Sequence, residues 1–303
     1  MTTAKRHPLF GKRGVKNLLE YLLFLLIAIP ARLLPRTLAL RLGELLGRMV
    51  CYLLPGRRRT TRDNLQQAFP DFTAKELDRA VAGTFAHIGI SGLEMLRLDQ
   101  LDPKRDLHRL FDYQGLEHLQ AAYAEERGVF LITGHVGFWE VGTFFLGLLG
   151  YPADFVAKKM KNPLIDRYFQ RMRESQGGFC LDSKGGARKI LRSLGQKRGV
   201  CVLMDQRISH REGEAVNFFG RTAYTTPIIA QMALKHRVPI VPVFTHRLPD
   251  LRYRVTVEPP LPLAASADPA EVAALTQAIT DRIEQAVRQD LHQWLWLHRR
   301  WRG

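Results

Sequence analysis

"LITGHVGFWEVG", Leu131 to Gly142, is the stretch on which the reading of the fold turns. With Val129 and Phe130 before it, it opens as a short apolar run that stops at Gly134 and His135. Buried parallel strands read as continuous apolar runs of this kind. Gly134 and Gly137 then permit a tight turn, and a helical pattern begins at about residue 138. One histidine and one acid, His135 and Glu140, stand among apolar residues and glycines. Residues five apart on a continuous helix diverge by about 140°. A direct contact between the two therefore needs His135 in the turn and Glu140 in the first helical turn, where the helix dipole also favours a carboxylate.

The same texture continues on the carboxyl-terminal side. Apolar runs "ADFVAKK", "GGFCLDS", "GVCVLMDQ", "VPIVPVFTHR" and "YRVTVEPP" alternate with helical candidates at about 138–149, 162–175, 185–197 and 226–237, and a last helix spans about 269–292. Such alternation predicts an α/β fold with a mostly parallel central sheet flanked by helices. Residues 57–111 read instead as helices split near Pro70, with Thr73 and Glu76 spaced as a capping box. In an open α/β sheet, ligands bind beyond the carboxyl ends of the strands, which is where His135 falls. A histidine oriented by a carboxylate, with no nucleophilic Ser or Cys beside it in sequence, predicts a general base that activates an acceptor hydroxyl directly. Assistance of that kind is typically worth about 10²–10⁴-fold.

Composition narrows the partners. The chain has 303 residues, ample for a buried core, and a formal charge of +16. Residues 1–60 contain twelve Lys/Arg and two Glu, so ten of the sixteen excess charges lie in the first fifth. A nucleic-acid-binding protein would carry its basic stripe on the folded domain. Here the charge adjoins "NLLEYLLFLLIAIPARLLP" and the amphipathic "TLALRLGELLGRMVCYLLPGRRR", so the expected anionic partner is a membrane surface, not nucleic acid. The uninterrupted apolar run is short of the roughly 20 residues needed to span a bilayer, and no small-residue cleavage site follows it. The expected division is residues 1–56 as membrane-anchoring or amphipathic helices and 57–303 as the α/β domain. Three distant cysteines (Cys51, Cys180, Cys201) form neither a disulfide framework nor a metal-ligand pattern, and no metal or cofactor is expected. "SKGGARK" at Ser183–Lys189 lacks the spacing of a phosphate loop and reads as a basic loop.

Several motifs now acquire a relation to one another. "HVGFWE" has the HX4(D/E) spacing of the glycerophospholipid acyltransferases. "KNPLIDRYFQRMRESQG", the segment from Leu203 to Phe244 with its Asp-Gln pair and Phe-Phe-Gly, and the terminal "WLWLHRRWR" resemble the bacterial lipid A late acyltransferases over almost the whole chain. The resemblance implies transfer of an acyl chain from an acyl-carrier protein (or coenzyme A) thioester to a hydroxyl of a lipid A precursor, without a covalent acyl-enzyme. It further implies an enzyme on the cytoplasmic face of a bacterial inner membrane, held to anionic lipids by its N-terminal helix. A lysophospholipid or another glycolipid is the alternative acceptor, and a basic membrane-surface or nucleic-acid-binding protein is the alternative class.

By the same resemblance His135 is the base, Glu140 its partner, and Arg173 the functional arginine. Arg171, Asp205, Gln206, Thr225 and Arg300 correspond to substrate-binding positions, and His298 and Arg299 belong to the terminal signature. Arg207 departs from the small or acidic residue many members carry after the Asp-Gln pair. Read from the residues alone, Arg171 and Arg173 point to different sides of a helix, so only one faces the site, there to bind phosphate or an oxyanion. Asp205 ends a buried strand. Thr225 and Thr226 precede Pro227 as a helix cap would. Trp294 and Trp296 are either an interfacial anchor or core. Phe138, Trp139, Phe144 and Phe145 are the expected wall of an acyl-chain pocket, and His236 and His246 read as surface or strand-end histidines without partners.

Overall fold

The computed structural model describes residues 12–151, 153–182 and 185–301. Four helices come first: α1 (Lys12–Leu33), α2 (Arg36–Leu53), α3 (Pro55–Ala68) and α4 (Ala74–Met95). The break at Pro70 falls between the last two. The capping box forms, with the Thr73 N–H donating to the Glu76 carboxylate at 2.8 Å and the Glu76 N–H donating back to the Thr73 hydroxyl. A short α5 (Pro103–Leu110) leads into β1 (Phe111–Gln114), α6 (Leu116–Ala124) and β2 (Val129–Thr133). Then follow α7 (Trp139–Leu148), β3 (Ala153–Ala157), α8 (Pro163–Glu174), β4 (Cys180–Asp182), α9 (Gly186–Gly195) and β5 (Gly199–Leu203). The hairpin β6 (Glu214–Phe218) and β7 (Arg221–Thr225), then α10 (Ile228–His236), β8 (Ile240–Arg247), β9 (Tyr253–Val257) and α11 (Pro269–Gln289) complete the order.

Seven strands form one sheet in the order β1-β9-β8-β2-β5-β3-β4. From β8 to β4 all neighbours are parallel, whereas β9 runs antiparallel to β8 and carries β1 alongside it. The expected mostly parallel α/β sheet is therefore present, with one edge reversed. β2 is buried along its whole length because helices cover both faces. Its side chains alternate between two apolar layers, Phe130 and Ile132 on one side and Val129 and Leu131 on the other, as the period-2 geometry of a strand requires. Every apolar run singled out in the sequence is a strand. β1 and the β6–β7 hairpin were not anticipated.

α2 is held against α4 by a crossing that only glycines permit. A Cβ on Gly47 would lie 2.1 Å from the Phe85 carbonyl oxygen, and one on Gly89 would lie 2.1 Å from the Gly43 oxygen. α1 meets helical windows long and apolar enough to cross a membrane, at a mean hydropathy of 1.6. It is nevertheless docked along its length. Asn162 donates to the Asn17 carbonyl at 2.8 Å, Phe24 packs edge-on against Tyr168 and Phe169, and Arg32 pairs with Asp99 at 2.6 Å. These contacts extend over about 22 Å of helix at 1.5 Å per residue. The opposite face is bare: Leu19, Leu23, Leu26 and Leu33 are exposed, and Leu45, Met49 and Tyr52 of α2 join them. An exposed apolar surface of this extent marks an interaction site rather than ordinary surface.

Gly89→Val tests the crossing. Forcing a branched side chain between α2 and α4 is expected to destabilise the fold by about 1–3 kcal/mol, read as a lower denaturation midpoint of the detergent-solubilised protein. An unchanged midpoint would mean that the two helices do not approach this closely.

Candidate active site

β2 and β5 are adjacent and in register, with Thr133 opposite Leu203. Two residues beyond each strand end stand His135 and Asp205, and the parallel register brings them together. His135 Nδ1 lies 2.7 Å from Asp205 Oδ1, and the His135 backbone N–H donates to Oδ2, also at 2.7 Å. Trp294 Nε1 donates to the same Oδ2 at 2.7 Å. Gly134 admits this approach, since a Cβ there would meet the Asp205 carboxyl at 3.3 Å and Ile283 at 2.9 Å. The imidazole is thus oriented by Asp205, not by Glu140. The sequence expectation failed because it considered only a partner on the same turn, whereas a parallel sheet supplies one from the neighbouring strand end.

Asp205 is 4% exposed. Burial alone would raise its pKa, but the charge of His135 and the three donors hold it down at about 2. Conversely, burial opposes protonation of His135, yet Asp205 outweighs that and raises the imidazole above its ordinary value of 6.5. With Nδ1 facing the carboxylate, Nε2 is the free basic nitrogen. It points to the Gln206 amide nitrogen at 3.2 Å, and the Trp139 ring stands edge-on at 4.8 Å.

Glu140 does sit in the first turn of α7, as expected. Its carboxylate is taken by Arg173, with Nε at 2.8 Å and Nη2 at 2.5 Å in a bidentate pair. Arg173 also lies over the rings of Phe155 and Phe169. It is the arginine that faces the site, but its fork is committed to Glu140, so the expected phosphate or oxyanion contact gives way to a wall of the cavity. Arg171, two residues earlier, is exposed and lines a separate recess with Tyr21 and Tyr168.

A cavity of about 340 Å³ opens beside Nε2. His135, Trp139, Glu140, Arg173 and Gln206 line it together with residues the sequence reading did not single out: Thr143, Phe155, Lys158, Met160 and Cys201. Of the expected aromatic wall only Trp139 takes part. Phe138, Phe144 and Phe145 are fully buried on the other face of α7, packing toward Phe111 and Tyr253. The Cys201 thiol borders the cavity, but burial pushes its pKa up to about 12, which keeps it protonated and weakly nucleophilic.

The remaining predicted residues brace the site without lining it. Thr225 ends β7, fully buried, and accepts from Arg300; it caps nothing, because the residue at the helix start is Pro227 without a side-chain cap. Arg300 is 1% exposed and also donates to the Gln206 carbonyl at 3.2 Å and the Tyr224 carbonyl at 2.6 Å. Its role is therefore to fix the Asp-Gln segment from behind, and burial lowers its pKa to about 10. His298 is half-buried beside Asp205 and His135, its pKa lowered by burial, while Arg299 is exposed. Trp294 and Trp296 are core, not anchor. The terminal segment clamps the His135 turn through the Gln293 carbonyl to the Gly137 N–H at 2.7 Å and the His135 carbonyl to the Leu295 N–H at 3.2 Å. Gly137, at φ +60°, is required there, since a Cβ would lie 1.7 Å from the Thr245 oxygen. His246 is buried and bonded to the Ala286 carbonyl at 2.9 Å, not a surface histidine, whereas His236 is exposed. Of the basic loop, Ser183 and Lys184 lie outside the described residues, and among the described residues no group of His, Cys, Asp or Glu is arranged to hold a metal.

A histidine–carboxylate pair thus stands at the carboxyl edge of a parallel sheet, beside a cavity, in a chain whose amino-terminal helices present an apolar surface. The family model of the bacterial lipid A biosynthesis acyltransferases matches residues 11–303. A lipid A biosynthesis acyltransferase of Haemophilus influenzae is 24% identical over 280 residues, covering 91% of this chain and 84% of that protein. The lipid A biosynthesis lauroyltransferase of Escherichia coli is 27% identical over 277 residues, covering 89% and 87%. A phosphatidylinositol mannoside acyltransferase of Mycobacterium tuberculosis is 29% identical over 248 residues, covering 79% and 76%. Among solved structures, the 1-acyl-sn-glycerophosphate acyltransferase PlsC of Thermotoga maritima aligns with 82% of this chain and 97% of its own, at 15% identity and a TM-score of 0.38, a likeness too slight to build on. The chain belongs to the bacterial lipid A biosynthesis acyltransferase family, and it is an O-acyltransferase.

Asp205→Asn separates orientation from charge. It is expected to lower kcat/KM by about 10²–10⁴-fold, the span of general-base assistance. Because Asp205 raises His135 while burial lowers it, the acid limb of the pH–rate profile should move to lower pH in the variant. A limb that stays in place would show that Asp205 does not set the base. The stabilisation from Asp205 should be present above its unfolded pKa and fade as pH falls toward about 2.

Proposed function

We propose that the protein transfers a fatty acyl chain from an acyl-carrier protein thioester to a hydroxyl of a lipid A precursor, with His135 as general base. The single observation that carries the mechanism is the His135–Asp205 pair, with Nε2 open to the cavity. Nε2 takes the proton of the acceptor hydroxyl as its oxygen attacks the thioester carbonyl carbon. The new C–O bond forms, the C–S bond breaks, and the imidazolium returns the proton to the departing thiolate. Asp205 remains ionised throughout and stabilises the imidazolium. The exposed Gln206 amide, beside Nε2, is positioned to donate to the developing oxyanion. Glu140 and Arg173 act as a neutralised pair that shapes the wall of the cavity. Direct transfer without an acyl-enzyme is favoured because the thiol at the cavity, Cys201, is held protonated.

The acceptor class has a second reading. Percent identity to phosphatidylinositol mannoside acyltransferases matches that to the lipid A enzymes, over a shorter stretch of the chain, so a mannosylated glycolipid is the competing acceptor, and acyl-coenzyme A the competing donor. For location, we propose that residues 1–56 bind the cytoplasmic face of the inner membrane. The long docking of α1 on the body favours a helix lying in the interface over one that crosses it, with leucines inserted and the basic flanks in the headgroups.

Mass spectrometry of lipids from purified enzyme, with both donors and both acceptors, checks the assignment; acylation of the mannolipid alone would overturn the lipid A reading. His135→Ala should reduce turnover at least about 100-fold, and Cys201→Ala should retain it. Retained activity in the first or loss in the second would refute direct transfer. Leu23→Glu with Leu26→Glu should release the protein from vesicles while leaving its melting temperature unchanged, if α1 lies in the interface.

A further inference from the structure

The elbow between α1 and α2 opens on a second cavity, of about 630 Å³, apart from the one at His135. Its volume is in the range of small-molecule sites. Five arginines line it, Arg32, Arg36, Arg97, Arg105 and Arg109, with Glu94 and Asp106 between them. The carboxylates are already shared. Glu94 accepts from Arg36 on one oxygen and from the buried Arg247 on the other, both at 2.6 Å. Asp106 accepts from Arg105 at 2.6 Å and Arg109 at 2.8 Å, and Arg32 is paired with Asp99 outside the lining. Arg97 bonds no carboxylate. Its guanidinium donates to the carbonyls of Ala31 and Leu34 at the end of α1. Burial, together with the nearby charges of Arg36 and Arg32, depresses its pKa against the opposing pull of Glu94, and the five arginines of the lining outnumber its two carboxylates.

The apolar part of the lining says where the ligand comes from. Leu33, 79% exposed, and Leu34 form one lip, continuous with the bare leucine face of α1. An anion seated among the arginines would have apolar surface directly beside it, the arrangement suited to an amphiphile rather than a free ion. Phosphate oxygens match guanidinium forks bidentately.

We propose that this elbow cavity binds the phosphate headgroup of an anionic membrane phospholipid through the guanidinium N–H groups of Arg97, Arg36 and Arg109 that do not already serve the α1 carbonyls, Glu94 or Asp106, and so fixes the seating of the enzyme on the bilayer. The site is distinct from the cavity at His135: the two share no lining residue. Binding is measured without acyl donor, so its outcome is independent of the acyl-transfer assignment.

The test is co-flotation of the full-length protein with phosphatidylcholine vesicles containing phosphatidic acid. Each basic residue near an anionic surface contributes about fivefold in affinity. Arg97→Gln and, separately, the exposed Arg109→Glu are expected to weaken binding at least fivefold, while Arg97→Lys restores most of it and Lys235→Gln, exposed on α10, changes it less than twofold. Arg109→Glu decides the matter if Arg97→Gln does not fold. Melting of the detergent-solubilised protein with dihexanoyl phosphatidic acid should rise in native protein and not in Arg109→Glu. Losses in the elbow variants no larger than in Lys235→Gln would overturn the proposal. So would protection by inorganic phosphate equal to that by the short-chain lipid, which would assign the cavity to a free ion.

Discussion

The site depends on the satisfaction of one buried carboxylate. Asp205 is almost fully enclosed at the end of β5, where an unpaired charge would cost several kcal/mol. Three donors from two other segments compensate it: the backbone and ring N–H of His135, and the indole N–H of Trp294. The same contacts that make the charge tolerable select the imidazole tautomer, fix the ring over the cavity and tie the carboxyl terminus to the sheet. Removing any one donor would leave the buried carboxylate short of a partner, so the turn at His135 and the terminal Trp294 are tied to the end of β5 through one group.

Around this centre the chain uses distant segments as braces. Leu295 and Gln293 bond the turn from one side. On the other, His87 Nε2 meets the Gly137 carbonyl at 2.9 Å and is itself backed by Arg247. Burial drives the His87 pKa to about 3, so this histidine is neutral and serves as a hydrogen-bonding strut. Arg300 secures the Asp-Gln segment from beneath. The cavity is thus braced near His135 from three sides, and Gln206 and Met160 are exposed side chains of its lining.

Much of the fold was legible because buried parallel strands have a plain signature. The runs ending at Thr133 and Leu203 are apolar throughout, and glycines punctuate their ends. β1 was not legible, since "FDYQ" is four residues long, half polar, and exists by pairing with β9, 142 positions away. The β6–β7 hairpin had only half a signal in Gly220: both loop residues adopt positive φ, but the other is Phe219, a residue type that does not announce such a turn. Thr225 was misread for the opposite reason. The local pattern of a cap was present, but a buried guanidinium claimed its hydroxyl.

The sequence by itself determined six of the nine described strands, the placement of His135 at a strand end, the apolar and basic character of the amino-terminal helices, and that Arg171 and Arg173 face different sides of their helix. Each is a local property, set by periodicity, by glycine or by helical spacing. Only the tertiary structure decided which acid pairs with His135. Glu140 is five residues from His135 and Asp205 is seventy, yet the parallel register of β2 and β5 puts Asp205 beneath the ring while Arg173 draws Glu140 away. A carboxylate goes to the cation or donor nearest in space, and spatial proximity in a parallel sheet is fixed by strand neighbours, which the linear order of residues does not specify.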